Sequence, residues 1–220
     1  LSFFAGISAS FLIAVPALFS IVNPLGGALI YSQVTSERSH AERVALAWRI
    51  ASYSTAVMLV SLWAGAALMS FFGISIEALR VAGGLVVAAQ AWAMLSAPDA
   101  HADRKQEQAS PAQFRGDIAF FPMTIPFTTG PGTISVAIAL SASRPGEVFM
   151  DRIPFFAGAS LAALAVALSV GFSYAAADRV VALLGEARAR VLTRLAAFLL
   201  LCIGMQILLT GVEGVLKGIR

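Results

Sequence analysis

Of 220 residues, 59% are hydrophobic and 12% are charged, and the mean hydropathy is +0.84. A soluble domain carries roughly 25% charged residues, so this chain cannot cover a water-facing surface; a soluble globule, a disordered chain and a nucleic-acid binder are excluded. The formal charge of +3 comes from 15 basic and 12 acidic residues gathered in short segments, which reads as a topology signal and not as an anion-binding stripe.

Six uncharged stretches follow one another along the chain: 1–36, 50–76, 81–98, 118–143, 153–177 and 195–212, none shorter than 18 residues. About 20 apolar residues span a bilayer, and in lipid the backbone must satisfy its own hydrogen bonds. The stretches therefore predict six transmembrane helices. A β-barrel would instead show alternating segments of about 10 residues, and none is seen. No basic segment precedes the first apolar stretch, so no cleaved signal peptide is expected.

Between the spans, 33–49, 98–117 and 178–194 fall on one side of the membrane, called side B here, and the N-terminus on side A. Side B holds Arg38, Arg43, Arg49, Arg104, Lys105, Arg115, Arg179, Arg188, Arg190 and Arg194; side A holds Arg80, Arg144, Arg152, Lys217 and Arg220. This bias makes side B cytoplasmic and puts both termini in the periplasm. The segment 98–117, PDAHADRKQEQASPAQFRGD, reads as a cytoplasmic linker between a first three-helix repeat, 1–97, and a second, 118–220.

The first stretch is too long for one straight span. Thirty-six helical residues reach about 54 Å, against a hydrocarbon core of about 30 Å. Asn23-Pro24-Leu25-Gly26-Gly27 is the place to break it, because Asn is a favoured N-cap and Pro a favoured first helical residue. The fourth stretch has the same device. Pro122 and Pro126 lead into Thr128-Thr129-Gly130-Pro131-Gly132-Thr133, with Gly130 as N-cap and Pro131 opening a new helix. Pro16 precedes Pro24 by eight residues and Pro122 precedes Pro131 by nine; Arg80 and Arg194 each open an apolar helix with a glutamine about three turns on, Gln90 and Gln206. Two three-span halves in tandem must lie in opposite orientations. The expected fold is all-α, six helices in two inverted repeats with broken first and fourth helices, and the site is expected at the breaks near the midplane.

Each restarted half-helix presents unpaired N–H groups and about half a positive charge. Two such ends suit a carboxylate. The ammonium of the same zwitterion would be met by Asn23, by the Thr128 and Thr129 hydroxyls, or by freed carbonyls. Gly26, Gly27, Gly130 and Gly132 leave room for small neutral species such as glycine, alanine, serine or threonine. The expected binding set is Asn23, Pro24, Gly26, Gly27, Thr128, Thr129, Gly130, Pro131, Gly132 and Thr133.

Elsewhere, Glu77 and Arg80 can pair on one helix face. Gln90 and Gln206 lie deeper and are expected to bond between helices. Gly83, Gly84 and Gly204 suit close helix packing. Trp48, Trp63 and Trp92 can anchor at the interface or pack inside. No acid lies at mid-span, so a carboxylate proton relay has no carrier. No cofactor or metal is expected; Na⁺ or H⁺ coupling, or uncoupled flux, stays open.

Four motifs in order, Ile21-Val22-Asn23-Pro24-Leu25, Phe72-Gly73-Ile74-Ser75, Arg80-Val81-Ala82-Gly83-Gly84-Leu85 and Gly130-Pro131-Gly132-Thr133-Ile134, resemble the MarC family of integral membrane proteins, within the lysine-exporter superfamily. The resemblance covers nearly the whole chain outside the linker. It implies a bacterial inner-membrane transporter of small neutral amino acids, of the NAAT type. The competing reading is a membrane scaffold or lipid-handling protein that moves no solute. An enzyme is not expected: no HExxH pattern, no paired intramembrane acids and no His or Lys base within a span accompany the serines.

Overall fold

The computed structural model describes residues 2–96, 117–142 and 149–218. Among these, every regular element is helical: α1 (Ser2–Val22), α2 (Pro24–Val34), α3 (His40–Phe71), α4 (Ile76–Ser96), α5 (Ala119–Thr128), α6 (Pro131–Ala142), α7 (Phe149–Ala175) and α8 (Ala177–Gly218). Five spans are long and apolar enough to cross a membrane, α1 and α2 together forming the first, Phe3–Val34; α5 and α6, bent by 65°, make a sixth if taken as one. The linker 98–117 lies outside the described residues except for Asp117.

Local chemistry sets the helix starts. Ser39 and Glu42 form a capping box before α3: the Ser39 amide donates to Glu42 Oε2 at 2.9 Å and the Glu42 amide to Ser39 Oγ at 3.4 Å. Ser75 Oγ accepts from the Ala78 amide at the start of α4. Asp117 caps α5, its Oδ1 accepting from the Ala119 amide at 3.0 Å and its carbonyl from Phe120 and Phe121. Inside α8, Gly185 has φ 60° and ψ 170°, a conformation open essentially to glycine, and the helix axis changes there.

Side-chain contacts set the direction of each neighbour. Helix α7 runs parallel to α1, with Gly6 against Pro154 and Gly158 against Ile7 and Ser10. It runs antiparallel to α3, with Gly171 against Trp48 and Ala51, and Trp63 Nε1 donating to Ser160 Oγ at 3.0 Å. Helix α3 runs parallel to the α5–α6 span, with Tyr53 edge-on to Phe120 and Gly65 against Ile138. Helix α4 is antiparallel both to α6, through Gly83 and Ala139, and to α8. Along α4 and α8, Gly84 meets the backbone of Gly204 and Leu208, Gly204 meets Ala88, and Gly211 meets Val81. Lipid tails are as apolar as leucine, so helices in a bilayer gain from such close backbone approach more than from burial itself.

Small residues fill the centre for the same reason. Ala159, Ala162, Ala163, Val166, Ala167 and Val170 are buried on α7, which packs against α1, α2 and α3. Two expectations change. Among the described residues no ion pair joins Glu77 to Arg80; Arg80 Nε donates to the Ala142 carbonyl at the end of α6, 2.7 Å away. Gln206 does not face another helix of the bundle but is exposed on the outside of α8; the side chain of Gln90 lies outside what is described. Trp48 and Trp63 pack on Phe172 and Phe156 of α7, and Trp92 faces outward.

Candidate functional site

Helix α1 ends at Val22 because of Pro24. Proline disfavours the right-handed helical region at the residue before it, and Asn23 sits instead at φ 50°, ψ 65°, which asparagine tolerates better than most side chains. Helical bonds reach it from both sides, Asn23 N to the Phe19 carbonyl and Gly27 N to the Asn23 carbonyl, each 2.8 Å. Its side-chain Oδ1 takes the Gly26 amide at 3.2 Å. The first turn of α2 is therefore largely satisfied by its own cap.

Segment α5 is built differently. The residues before its two prolines, Phe121 and Ile125, are extended, and both prolyl peptide bonds are cis. Pro122 and Pro126 remove two amide donors, and threonine hydroxyls act in their place. Thr124 Oγ1 donates to the Ala119 carbonyl at 2.6 Å, Thr128 Oγ1 to Met123 at 2.7 Å and Thr129 Oγ1 to Thr124 at 3.2 Å. Each bond reaches back five residues, as do the amide bonds from Met123 to Ile118 and from Thr129 to Thr124. The result is a wide-turned coil, not the regular helix expected before Gly130. All three hydroxyls have spent their single proton, so their oxygens remain as acceptors.

Helix α6 restarts at Pro131, with Gly132 and Thr133 in its first turn. The Ile134 amide donates to the Gly130 carbonyl at 3.2 Å. Gly130 lies against the Pro126 carbonyl, leaving no room for a side chain.

What joins the two motifs is a residue with no sequence signal. Tyr174, near the end of α7, is 1% exposed. Its hydroxyl packs on Gly27 of α2 and lies 3.2 Å from Thr128 Oγ1 of α5. Phe127 stacks on its ring at 6.2 Å and Tyr31 of α2 at 4.7 Å. Gly27, Thr128 and Phe127 thus meet at one phenol, with Pro24, Thr129 and Thr133 buried nearby in the chain and Asn23, Gly26, Gly130 and Gly132 half-buried.

From Tyr31 the polar contacts run on to side B. Tyr31 Oη donates to the Arg43 carbonyl at 2.6 Å. Arg43 clasps Asp178 with both terminal nitrogens, at 3.1 and 2.9 Å, and also reaches Ser32 Oγ. That hydrogen-bonded guanidinium holds the Asp178 carboxyl below its ordinary value, helped by Ser32 and by the charge of His40. A second pair, Arg49 with Asp117 at 2.6 Å, ties α3 to the start of α5. The Tyr53 hydroxyl at 2.7 Å lowers the Asp117 carboxyl most, with the Ala119 amide and Arg49 adding to it. Clefts of about 250 and 390 Å³ flank these pairs at the rim, one lined by His40 and Asp178, the other by Arg38, Glu42 and Asp117.

Residues 8–216 match the model of the MarC family integral membrane proteins. The chain is 33% identical over 206 residues to the inner membrane protein MarC of Salmonella typhimurium, covering 91% of this chain and 92% of the relative. It is 31% identical over 208 residues to the inner membrane protein MarC of Escherichia coli strain SMS-3-5, with the same coverage. No solved structure matches. With apolar helices enough for five or six crossings and this similarity over nearly its full length, the chain is a multi-pass inner-membrane protein that belongs to the MarC family.

Proposed function

We propose that the protein carries small neutral amino acids of the glycine, alanine, serine and threonine class across the inner membrane, by alternating access between two inverted three-helix repeats. The observation that carries this reading is Tyr174: one buried hydroxyl touches the Pro-Gly interruption of the first half at Gly27 and that of the second at Thr128. Interrupted helices near the midplane are where carriers of this plan bind their solutes.

The helix pairings support the repeat. A two-fold axis in the membrane plane turns the parallel packing of the α1–α2 span on α7 into the parallel packing of the α5–α6 span on α3. It turns α4–α6 into the packing of α8 on α1 and α2. It returns α4–α8 and α3–α7 to themselves, so those pairs must be antiparallel, as they are.

In this reading the substrate carboxylate lies at the start of α6, on the Gly132 and Thr133 amides, because α2 spends its Gly26 and Gly27 amides on Asn23. The ammonium is met by the acceptor oxygens of Thr128, Thr129 and Tyr174 and by the Asn23 carboxamide. Side B is cytoplasmic, both termini are periplasmic, and the Arg43–Asp178 and Arg49–Asp117 pairs close the cytoplasmic end. Substrate then enters this state from the periplasmic side, and opening to the cytoplasm requires both pairs to part.

Purified protein in proteoliposomes, loaded with unlabelled alanine and given labelled alanine or serine outside, tests the proposal. Saturable exchange is expected, with amino acid amides competing poorly. Amides that compete as well as the acids would overturn the helix-end carboxylate site. Absence of exchange with any small neutral amino acid would favour the scaffold or lipid-handling reading.

A further inference from the structure

The outer wall made by α8 carries a polar group that the bundle leaves unanswered. Ala197–Lys217 is the least enclosed span, with 22% of it buried against 44% for Arg152–Ala175. Its inward stripe, Ala197, Leu200, Gly204, Ile207 and Gly211, is used in packing, with the two glycines against α4. On the opposite face, Phe198, Cys202, Gln206 and Leu209 are all exposed and recur at helical spacing.

Gln206 stands at the centre of that span, the depth at which a polar side chain is most costly. Among the described residues its carboxamide has no hydrogen-bond partner. The nearby Thr210 hydroxyl donates to the backbone carbonyl of Gln206, not to its side chain. Lipid tails supply neither donor nor acceptor, and headgroups do not reach this depth.

A primary amide is both donor and acceptor, so two of them satisfy each other reciprocally. Copies inserted in one orientation and related by a two-fold axis along the membrane normal set each residue against its own counterpart at the same depth. Gln206 then meets Gln206, and Cys202, one turn away, meets Cys202. The stretch 195–212 is uncharged, so no charge on this face selects a partner of opposite sign. We propose that the outward face of α8 is the interface with a second copy of this chain, centred on a reciprocal Gln206 amide pair across a two-fold axis.

Cys202, the chain's single cysteine and an exposed one, reports on this without any added group. Full-length protein in liposomes at low protein density is treated with copper phenanthroline and run on a non-reducing gel. A dimer band that reductant removes is expected. It should be absent when the cysteine is moved to the exposed face of α7, in the variant Cys202→Ser with Leu164→Cys. Gln206→Leu should lower the cross-linked fraction about five-fold or more and change single-molecule photobleaching from two steps to one. Gln206→Met, closer in shape to glutamine, should do the same if the leucine variant melts abnormally. One-step bleaching of the wild type, two-step bleaching unchanged in both variants, or cross-linking in native membranes to a different protein and not to a second copy would each overturn the proposal.

Discussion

Tyr174 donates a hydrogen bond to Thr128. The two hydroxyl oxygens are 3.2 Å apart, and the proton of Thr128 is already given to the Met123 carbonyl at 2.7 Å. A hydroxyl has one proton, so the shared bond must use that of Tyr174. The phenol oxygen is left as an acceptor, facing Gly27.

Tyr174→Phe removes that donor while keeping the ring stacked on Tyr31. The expected loss of stability is about 1 kcal/mol, read as a lower melting temperature in detergent. Amino acid exchange should fall further than folding does. In a double-mutant cycle with Thr128→Val, the two losses should be less than additive by about 1 kcal/mol; strict additivity would mean that the hydroxyls do not interact.

Gly27→Ala places a methyl group against the Tyr174 hydroxyl oxygen, the nearest of the ring's atoms. Overpacking of this kind costs about 1–3 kcal/mol. Because the obstructing atom is the hydroxyl oxygen, Tyr174→Phe in the same chain should restore part of the loss. A double variant less stable than Gly27→Ala would show that the glycine is needed for some other contact.

Asn23 combines a left-handed backbone with a capping side chain. Glycine at this position keeps the backbone and loses the cap, which costs a few tenths of a kcal/mol. Leucine loses the cap and strains the backbone, at about 2–4 kcal/mol together. Thermal melts should rank wild type, Asn23→Gly and Asn23→Leu in that order, and an equal effect of the two substitutions would remove the conformational argument.

The Asp178 carboxyl is lowered in the folded protein from an ordinary value of 3.8, chiefly by its hydrogen bonds to Arg43. Its stabilisation is whole above the unfolded-state value, near 4, and is lost as pH falls through the lower folded-state value. Between pH 5 and 7 the protonation of this carboxyl therefore adds no pH dependence of its own. Asp178→Asn should lower the melting temperature across that range, and the gap should close as pH falls below about 4. A gap that is widest in acid would contradict the sign of the shift.

The interruptions at Pro24 and Pro131 are visible in the sequence because their causes are local. Proline disfavours helix at the preceding residue, and at Pro24 that residue is an asparagine able to take the αL conformation, whereas Pro16 and Pro154 lie inside helices. The threonine run 128–129 is visible too, but not its use. The sequence holds these hydroxyls out for a ligand, whereas the prolines at 122 and 126 turn their protons back onto the chain's own carbonyls. Asp117 reads as the last residue of a linker, and its carboxylate caps α5 and pairs with Arg49.

Uncharged length by itself determined that this chain lives in a bilayer as a set of helices, since a backbone in lipid has nowhere but its own amides and carbonyls to bond. Tertiary structure decided which residues share a site. Tyr174 is one of three tyrosines, carries no motif, and meets Thr128 across 46 positions of chain. The same holds for Gln206: spacing puts it at mid-span, but only the packing of Gly204 and Gly211 on α4 turns its amide outward. Periodicity records how a helix divides its faces, and the partner of each face is set by contacts between segments far apart in sequence.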